Sequence, residues 1–330
     1  MTARPDRVFT DGPLAGLEAW AVAIPMEIRY RRLRERRAVL IRGPAGWGEF
    51  SPFEEYDDLV AARWLASAHE SASQPLPPPV RDRIPVNVTV PPVSARRAAA
   101  LVRDSGCRTA KVKVAEAGQD FSQDLSRVAA VREALGEGGF LRVDVNGAWE
   151  VEEAEARLGA LEEFDLQYAE QPCATLSELA ELRRRTGVPI AADESIRSGA
   201  SPEQIASSGA ADILVMKVQP MGGVRRMLEW ASRTGLAVVP SSALETSVGL
   251  AAGLAAAASL PTLPYACGLA TSSLLAGDVV GDPLAPDGGE MHLRRPEPEP
   301  ELLERWRPPE DVASCMIART ERSADLLGCL

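Results

Sequence analysis

Between residues 84 and 270 the sequence repeats one pattern, a short apolar strand followed by a helical segment. Helix-start signals support this pattern: Thr175–Glu178 has the spacing of a capping box, and Ser201–Gln204 adds proline at the first helical position. Eight such units predict an α/β fold with a (β/α)8-type barrel. The candidate strands are Ile84–Val90, Thr109–Val114, Phe140–Asn146, Asp165–Glu170, Val188–Asp193, Asp212–Val218, Leu236–Ser241 and Pro264–Gly268.

The two ends of the chain break this pattern. Segments near Leu17–Ile24, Met26–Leu33 and Arg37–Arg42 predict an antiparallel sheet, and a helix is expected near Asp57–Ser73. The proline-rich stretch Gln74–Pro79 is typical of a stiff linker. We therefore predict an α+β capping domain over residues 1–80 and a barrel over residues 81–290. Residues 291–330 should pack back on the cap, extended as far as residue 309 and then helical.

Composition excludes several classes of function. The 330 residues carry a net charge of -11, so neither nucleic acid nor an anionic membrane is an expected partner. Five scattered cysteines without a CxxC pair argue against a disulfide framework or a thiolate zinc site. Neither a signal peptide nor an apolar run of roughly 20 residues, the membrane-spanning length, is evident. We expect a cytoplasmic protein that binds a small molecule, as a monomer or a weak homo-oligomer.

Lysine is rare in this chain. Of 36 basic residues only Lys111, Lys113 and Lys217 are lysines, and the rest are arginines. Arginine suits any site that needs a solvated positive charge, but its guanidinium does not release a proton, whereas a lysine pKa can be lowered by its surroundings. The three lysines are therefore candidates for acid/base chemistry, and chance retention is the alternative.

Charged residues stand at the carboxyl ends of five consecutive candidate strands. They are Lys111 with Lys113, then Asp144, Glu170, Asp193 and Lys217. The steps from 144 to 170, to 193 and to 217 are 26, 23 and 24 residues, about one strand and helix each. In a barrel, these strand ends meet at the face that holds the active site, and strand alternation turns the lysines inward. The alternative is a set of solvated strand-end charges.

Three converging carboxylates need a counter-charge, because like charges raise each other's pKa. A divalent cation bound by Asp144, Glu170 and Asp193 would supply it. Oxygen ligands without a nearby histidine or cysteine favour Mg²⁺ over zinc. On the same strand face, Arg142 and Asn146 flank Asp144. Arg142 is expected either to support the metal ligands from beneath or to form a plain core ion pair.

Together these motifs resemble the enolase superfamily, specifically its muconate-lactonizing-enzyme-like branch. The segment Gly46–Pro52 also resembles the capping domain of that family. The resemblance implies that Asp144, Glu170 and Asp193 bind one Mg²⁺ ion. The matching barrel segments are Lys111–Lys113, Asp144–Asn146, Glu170–Pro172, Asp193–Ser195 and Val215–Pro220.

The resemblance also implies roles for the lysines. Lys113 and Lys217 would flank the substrate, with Lys111 supporting Lys113. The metal would hold the substrate carboxylate, so that an α-proton leaves as charge builds on oxygen.

Within that branch, Lys217–Val224 and Ser241–Gly249 resemble the o-succinylbenzoate synthase family. Gly268–Ala270 lacks the Asp-x-Asp pattern of dipeptide epimerases. The implied reaction is the dehydration of 2-succinyl-6-hydroxy-2,4-cyclohexadiene-1-carboxylate to 2-succinylbenzoate, in menaquinone biosynthesis. An N-acylamino acid racemase of the same branch would use the same residues. A barrel without catalysis, serving as a scaffold, is the alternative from another class.

The resemblance also suggests contacts to the outer part of the substrate. Ser241, Ser242 and Gly268 are expected to bind the succinyl carboxylate through backbone N–H groups, with a simple strand-end turn as the alternative. The arginine run from Arg29 to Arg37 is expected to be mostly a solvated hairpin, with a lid contact to the dianionic substrate from some of its members.

Overall fold

The N-terminal part of the chain is a four-stranded antiparallel sheet covered by one helix. The computed structural model describes residues 3–30, 33–197 and 199–329. Helix α1 (Asp58–Ser73) begins at Asp57, whose side chain accepts a hydrogen bond from the Val60 N–H at 2.8 Å. The predicted sheet and helix are both present. The strands are β1 (Arg7–Val8), β2 (Glu18–Tyr30), β3 (Leu33–Gly43) and β4 (Gly46–Phe50).

The strand boundaries in this sheet correct the prediction. Two strands were expected on either side of Pro25, but β2 runs through this residue without a break. Pro25 lies opposite Glu35, and a register shift follows before Tyr30, so the missing N–H is accommodated in an irregular part of the ladder. The sequence analysis also missed β4. Its glycines weaken the alternating pattern from which a strand is predicted.

A closed barrel of eight parallel strands follows, as predicted. Neighbouring strands pair in chain order, and the eighth also pairs with the first, which closes the ring. Each predicted strand is present, with small shifts at its ends. The strands are β5 (Arg83–Val90), β6 (Thr109–Lys113), β7 (Phe140–Asp144), β8 (Leu166–Glu170), β9 (Ile190–Ala192), β10 (Ile213–Lys217), β11 (Ala237–Ser241) and β12 (Cys267–Ala270).

Helices connect these strands and cover the outside of the barrel. Both predicted capping boxes are found, at the N-termini of α5 and α7. The outward-facing strand residues join the helices in one large apolar core, while a small cluster that includes Ile213 and Val215 fills the barrel interior. The helices are α2 (Ala95–Ser105), α3 (Phe121–Leu135), α4 (Val151–Leu161), α5 (Leu176–Arg183), α6 (Glu194–Arg197), α7 (Pro202–Ser208), α8 (Val218–Met221), α9 (Val224–Thr234) and α10 (Ser247–Ser259).

The eighth unit lacks the expected helix. β12 leads into a single 3₁₀ turn, Ser272–Leu274, and then into an irregular segment rich in glycine and proline. Within this segment the Ala276 N–H donates to the Pro25 carbonyl of the cap at 2.9 Å. The chain then returns as β13 (Glu290–His292), which pairs antiparallel with the start of β5.

The C-terminal residues lie against the cap. Helix α11 (Pro300–Arg305) interrupts the stretch that was expected to be extended, with Pro300 in its first turn, a position where the missing N–H costs nothing. Helix α12 (Glu310–Asp325) packs on α1 and on the sheet. In the described parts of the chain, no helix combines the length and the apolar character needed to cross a membrane.

Gly48 marks the closest approach of β4 to α1, because a Cβ atom there would lie 2.0 Å from the Ala68 carbonyl oxygen. We expect Gly48→Ala to lower the free energy of unfolding by about 3 kcal/mol, since two backbones would have to separate. The control is Gly159→Ala in α4, where no atom lies within 4 Å of the added methyl. It should be neutral or stabilising by up to ~1 kcal/mol. Equal urea unfolding curves for the two variants would contradict this packing.

Candidate active site

The carboxyl ends of the barrel strands bring the predicted charged residues together. Lys113 lies opposite Asp144 in the strand register, and Asp144 lies opposite Glu170. Asp193 directly follows β9, and Lys217 ends β10. Together with Lys111 these side chains are at most 8% exposed. The site is therefore a buried cluster of charges beneath the capping sheet.

Two of the lysines neutralise carboxylates. The Lys111 Nζ lies 2.7 and 2.9 Å from the two oxygens of Glu170 and 3.3 Å from Asp144 Oδ2. The Lys217 Nζ lies 2.5 Å from Asp193 Oδ1, and Arg197 approaches the same oxygen at 3.3 Å. These contacts give each buried negative charge a positive neighbour.

The pKa values follow from this arrangement. Burial opposes the charge on Lys111, yet Glu170 and Asp144 raise the pKa of its amine well above the ordinary value. Burial likewise raises the pKa of Glu170 to about 7, although Lys111 opposes the change. For Asp193, burial is outweighed by Lys217 and Arg197, so the pKa of this carboxyl lies below its usual range. Lys111 is thus a permanent cation, and Asp193 is a permanent anion.

Lys113 differs from the other two lysines. Across residues 3–30, 33–197 and 199–329, its amine makes no hydrogen bond and no ion pair, although its charge acts on Asp144. The side chain is nevertheless buried, at 8% exposure. An amine that no carboxylate holds can take up or release a proton without first breaking an ion pair. Lys113 is therefore the lysine best suited to proton transfer.

The donor atoms of the site suit a hard divalent cation. Asp144, Glu170 and Asp193 offer oxygen ligands only, which is the set that magnesium or calcium prefers. Within the described residues, however, no three histidine, cysteine, aspartate or glutamate side chains converge as a metal-binding group. Glu170 and Asp193 are hydrogen-bonded to lysine amines instead. The residues present fit such a cation chemically, and all three would bind it only after turning away from the lysines.

Gln171 fixes the backbone at Asp193, a role that the sequence did not indicate. Its Oε1 accepts hydrogen bonds from the N–H groups of Asp193, at 3.0 Å, and Ser195, at 3.2 Å. Its Nε2 donates to Ser195 Oγ at 2.8 Å and to the Cys173 carbonyl at 3.0 Å. The residue itself has a φ of 42°. Gln171 thus ties the end of β8 to the end of β9 and fixes the backbone of Asp193.

Asn146 lies beside the carboxylates, as expected. Its N–H donates to Asp144 Oδ1 at 3.2 Å, and its Nδ2 donates to Glu194 Oε1 at 2.7 Å. Glu194 in turn is paired with Arg197, which also donates to the Tyr56 hydroxyl of the cap at 2.7 Å. This chain of contacts links the end of β7 to the cap through residues that the sequence analysis did not single out.

Arg142 lies beneath Asp144, as its place on the strand predicts, but it forms no ion pair with a described residue. The residue is fully buried one layer below Asp144, and its described partners are neutral. It donates to Gln167 Oε1 at 2.7 Å and to Asn87 Oδ1 at 3.1 Å, and its guanidinium stacks on the Tyr168 ring at 4.6 Å. Lys111, its neighbour in the β6–β7 register, contacts the carboxylates instead. Arg142 therefore contacts the amides and aromatic rings of the barrel floor.

A cavity of about 30 Å³ lies at the centre of this cluster. Lys113 is not among its lining residues. A volume of this size holds one or two water molecules. A larger molecule would enter only if the cap or the charged side chains moved. The cavity is lined by Lys111, Asp144, Asn146, Asp193, Lys217, Ser241, Ser242, Gly268 and Thr271, among others, with Tyr30 and Phe53 from the cap.

At the ends of β11 and β12, backbone N–H groups were expected to bind the substrate, but one of them donates to a protein carbonyl. The Ser242 N–H donates to the Gly268 carbonyl at 3.0 Å, so it is not available to a ligand. Ser241 Oγ also donates to that carbonyl, at 3.3 Å. The Ser242 hydroxyl pairs with Thr271 Oγ1 at 2.6 Å. The Ser242 N–H and the hydroxyls of Ser241 and Ser242 thus all form hydrogen bonds within the wall.

The arginines between residues 29 and 37 have different environments in the structure. Arg31 and Arg32 lie outside the described residues. Arg37 is a solvated hairpin residue that pairs with Glu35 and Glu54. Arg36, in contrast, is 3% exposed and contacts the barrel.

Comparisons with known proteins give the family. The chain matches the model "Enolase C-terminal domain-like" over residues 94–298 and "Enolase N-terminal domain-like" over residues 21–72. It is 57% identical over 275 residues to the o-succinylbenzoate synthase of Thermobifida fusca (strain YX), covering 83% of this chain and 87% of that protein. The chain belongs to the enolase superfamily, in its o-succinylbenzoate synthase family.

A second relative and one solved structure are also similar to this chain. The o-succinylbenzoate synthase of Mycobacterium tuberculosis (strain ATCC 25618 / H37Rv) is 49% identical over 310 residues, 93% of this chain and 94% of that protein. The structure of muconate lactonizing enzyme from Pseudomonas fluorescens, complexed with muconolactone, superposes with a TM-score of 0.77 at 22% identity. It covers 93% of this chain and 100% of that one. This second likeness shows the shared fold.

Replacing Gln171 by methionine tests its orienting role. The change leaves the N–H groups of Asp193 and Ser195 buried without acceptors, so we expect the free energy of unfolding to fall by about 3 kcal/mol. Chemical denaturation followed by tryptophan fluorescence measures this. The control is Gln74→Met, because the Gln74 side chain is exposed at the end of α1. A loss no larger than in the control would show that Gln171 does not hold Asp193 in place.

Proposed function

We propose that this enzyme converts 2-succinyl-6-hydroxy-2,4-cyclohexadiene-1-carboxylate to 2-succinylbenzoate by loss of water, in menaquinone biosynthesis. The observation that carries the proposal is the contrast between Lys113 and Lys217. β6 and β10 are four steps apart in a ring of eight strands, so the two lysines face each other across the carboxylates. Lys113 is unpaired within the described chain, and Lys217 is held by Asp193.

Asp144, Glu170 and Asp193 are the proposed ligands of one Mg²⁺ ion. Their oxygen donors and their neighbouring strand positions support this choice. A bound cation would hold the substrate carboxylate and stabilise the negative charge that builds on its oxygen as the proton leaves. The backbone of Asp193 is already fixed by Gln171, so only its side chain would have to turn to bind the cation.

Lys113 is the proposed acid and base. Its amine removes the proton from the ring carbon next to the carboxylate, and the same proton then passes to the hydroxide that leaves the neighbouring carbon. A single residue does both because both groups depart from one face of the ring. Lys111, two residues away on the same strand face, contacts Glu170 and Asp144, so the Lys113 amine has no carboxylate partner among the described residues.

Lys217 is proposed to remain a cation throughout. Its amine forms an ion pair with Asp193 Oδ1 at 2.5 Å. From the opposite face it stabilises the dienolate by charge and by cation–π attraction to the ring. Ser241, Ser242 and Gly268 are the proposed contacts of the succinyl chain, supported by their place on the cavity wall.

A second candidate activity is the racemisation of N-succinylamino acids. Two lysines on opposite sides of an α-carbon are the arrangement that such a reaction needs, since one removes the proton and the other returns it. The ion pair of Lys217 with Asp193 favours the dehydration instead. Comparing kcat/KM for the two substrates separates these activities.

We also propose that the protein acts in the cytoplasm without a nucleic-acid partner, as a monomer or a weak homo-oligomer.

Replacing each lysine by arginine tests the two roles. Lys113→Arg keeps the charge but cannot release a proton, so kcat should fall by at least about 100-fold. Lys217→Arg keeps a cation on the wall opposite Lys113, so kcat should fall clearly less than in Lys113→Arg. Consumption of the cyclohexadiene is followed by ultraviolet absorbance, and circular dichroism checks the fold of both variants. Unchanged turnover in Lys113→Arg, or a larger loss in Lys217→Arg, would contradict these assignments.

Metal removal tests the cation. Dialysis against a chelator should abolish turnover, and Mg²⁺ should restore it more fully than Zn²⁺, because the ligands are all hard oxygen atoms. Isothermal titration of the stripped protein should show one site, which Asp193→Asn weakens. Full activity after stripping would contradict a metal-dependent mechanism.

A further inference from the structure

Glu49 is a buried carboxylate of the cap that the proposed mechanism does not use. It lies in β4 at 2% exposure, and most of its partners belong to the barrel. Its Oε2 accepts hydrogen bonds from the Thr246 N–H at 3.0 Å, the Thr246 hydroxyl at 2.6 Å and the Gly249 N–H at 3.1 Å. Its Oε1 accepts from the Ser51 hydroxyl at 2.7 Å. A carboxylate of one domain thus caps helix α10 of the other.

This contact satisfies groups that α10 cannot satisfy alone. The first N–H groups of a helix lack partners within it, and the positive end of the helix dipole favours a carboxylate. The ordinary N-cap residue, Thr246, accepts from the Val248 N–H at 3.3 Å, and Asp278 accepts from the Ser247 N–H at 3.1 Å. Nearly all of α10 is buried, so water does not serve the remaining donors. Glu49 therefore completes the first turn of this helix.

Gly249 shows how closely the two domains meet here. A Cβ atom at this position would lie 2.9 Å from Glu49 Oε2 and 2.6 Å from the Glu245 side chain. Only a glycine leaves room for the carboxylate in the first turn of α10. The helix sequence and the cap residue are thus fitted to each other.

Helix α10 begins where the wall of the active-site cavity ends. The wall residues Ser241, Ser242, Ala243 and Leu244 all line the cavity. Leu244 has a φ of 65°, a left-handed conformation that a branched side chain rarely adopts. The neighbouring contacts must therefore hold this part of the wall in place.

The cap supplies two of those contacts. Arg36 in β3 donates from Nε to the Leu244 carbonyl at 3.1 Å and also donates to the Ser51 carbonyl. Ser51 exchanges two hydrogen bonds with Gln219, at 3.1 and 3.0 Å, two residues beyond Lys217. With Glu49 at Thr246, the cap contacts the strained residue itself and the start of the helix two residues later.

We propose that Glu49 is a positioning residue, which caps α10 from the neighbouring domain and so holds the wall Ser241–Leu244 in the shape that receives the substrate. Substrate binding then depends on a correctly seated cap. The kinetic part of this inference rests on the proposed function, whereas its structural part does not.

The acceptor atom, rather than the full charge, is what this role requires. Burial raises the pKa of Glu49 to about 7, and the nearby Glu245 adds to the shift, while Thr246, Arg36 and Ser51 oppose it. Protonation at Oε1 leaves Oε2 as an acceptor for α10. Glutamine keeps that acceptor at the same reach, and alanine removes it. The two substitutions therefore separate the loss of the hydrogen bonds to α10 from the other effects of a mutation at this position.

Hydrogen exchange and steady-state kinetics on the metal-loaded full chain test the proposal. In Glu49→Ala, we expect the amides of residues 242–249 to exchange about tenfold faster, with those of α3 unchanged. KM should rise about tenfold while kcat changes less than about threefold, the size expected for a lost helix cap. Glu49→Gln should restore both quantities to near the wild-type values. Glu18→Ala, a partly exposed acid of the same sheet, is the matched control.

Three outcomes would overturn the proposal. The first is wild-type exchange at residues 242–249 in Glu49→Ala. The second is faster exchange with unchanged KM, which would make the contact structural only. The third is a glutamine variant that behaves like the alanine variant. A wild-type protein without dehydratase activity would refute the proposed function, and the exchange comparison would still decide whether Glu49 holds the wall.

Discussion

Six charged side chains lie buried in one barrel mouth, and the structure tolerates them because opposite charges touch. Removing a lone carboxylate from water costs several kcal/mol, and a contacting cation offsets much of this cost. Lys111 serves Glu170 and Asp144, and Lys217 serves Asp193. The barrel makes these contacts possible, since parallel strands deliver one charged end each to the same face.

The same pairing creates the difference on which the proposed chemistry depends. Two lysines are held as cations, which leaves Lys113 as the amine that is not committed to a carboxylate in the described structure. Three identical side chains thereby acquire different partners. These partners follow from strand position: Lys111 is one layer lower than Lys113, within reach of two carboxylates, and Lys217 approaches from the opposite wall.

The capping domain encloses this site as well as contributing to its lining. Tyr30 and Phe53 line the cavity. Arg36 and Glu49 form hydrogen bonds to Leu244 and Thr246, in the loop after β11. Electrostatic interactions are stronger in such a closed, water-poor site. The capping domain would then both close the site and set the shape of its wall. Closure over the substrate and the fit of the substrate to the wall would depend on the same domain.

Much of this architecture was readable from local patterns. The eight strands, both capping boxes and the convergence of the strand-end charges follow from periodicity and from spacings of about one βα unit. The errors fell where local signals were weak: β4 is rich in glycine, Pro25 lies within a strand, and the eighth unit has no helix. The sequence by itself determined which residue types stand at the strand ends and in what order. Only the tertiary structure decided their partners, because pairs such as Lys111 with Glu170 or Glu49 with Thr246 join residues far apart in the chain. Arg142 follows the same rule: Lys111, its neighbour in the strand register, contacts the carboxylates, whereas Arg142 contacts Gln167 and Asn87.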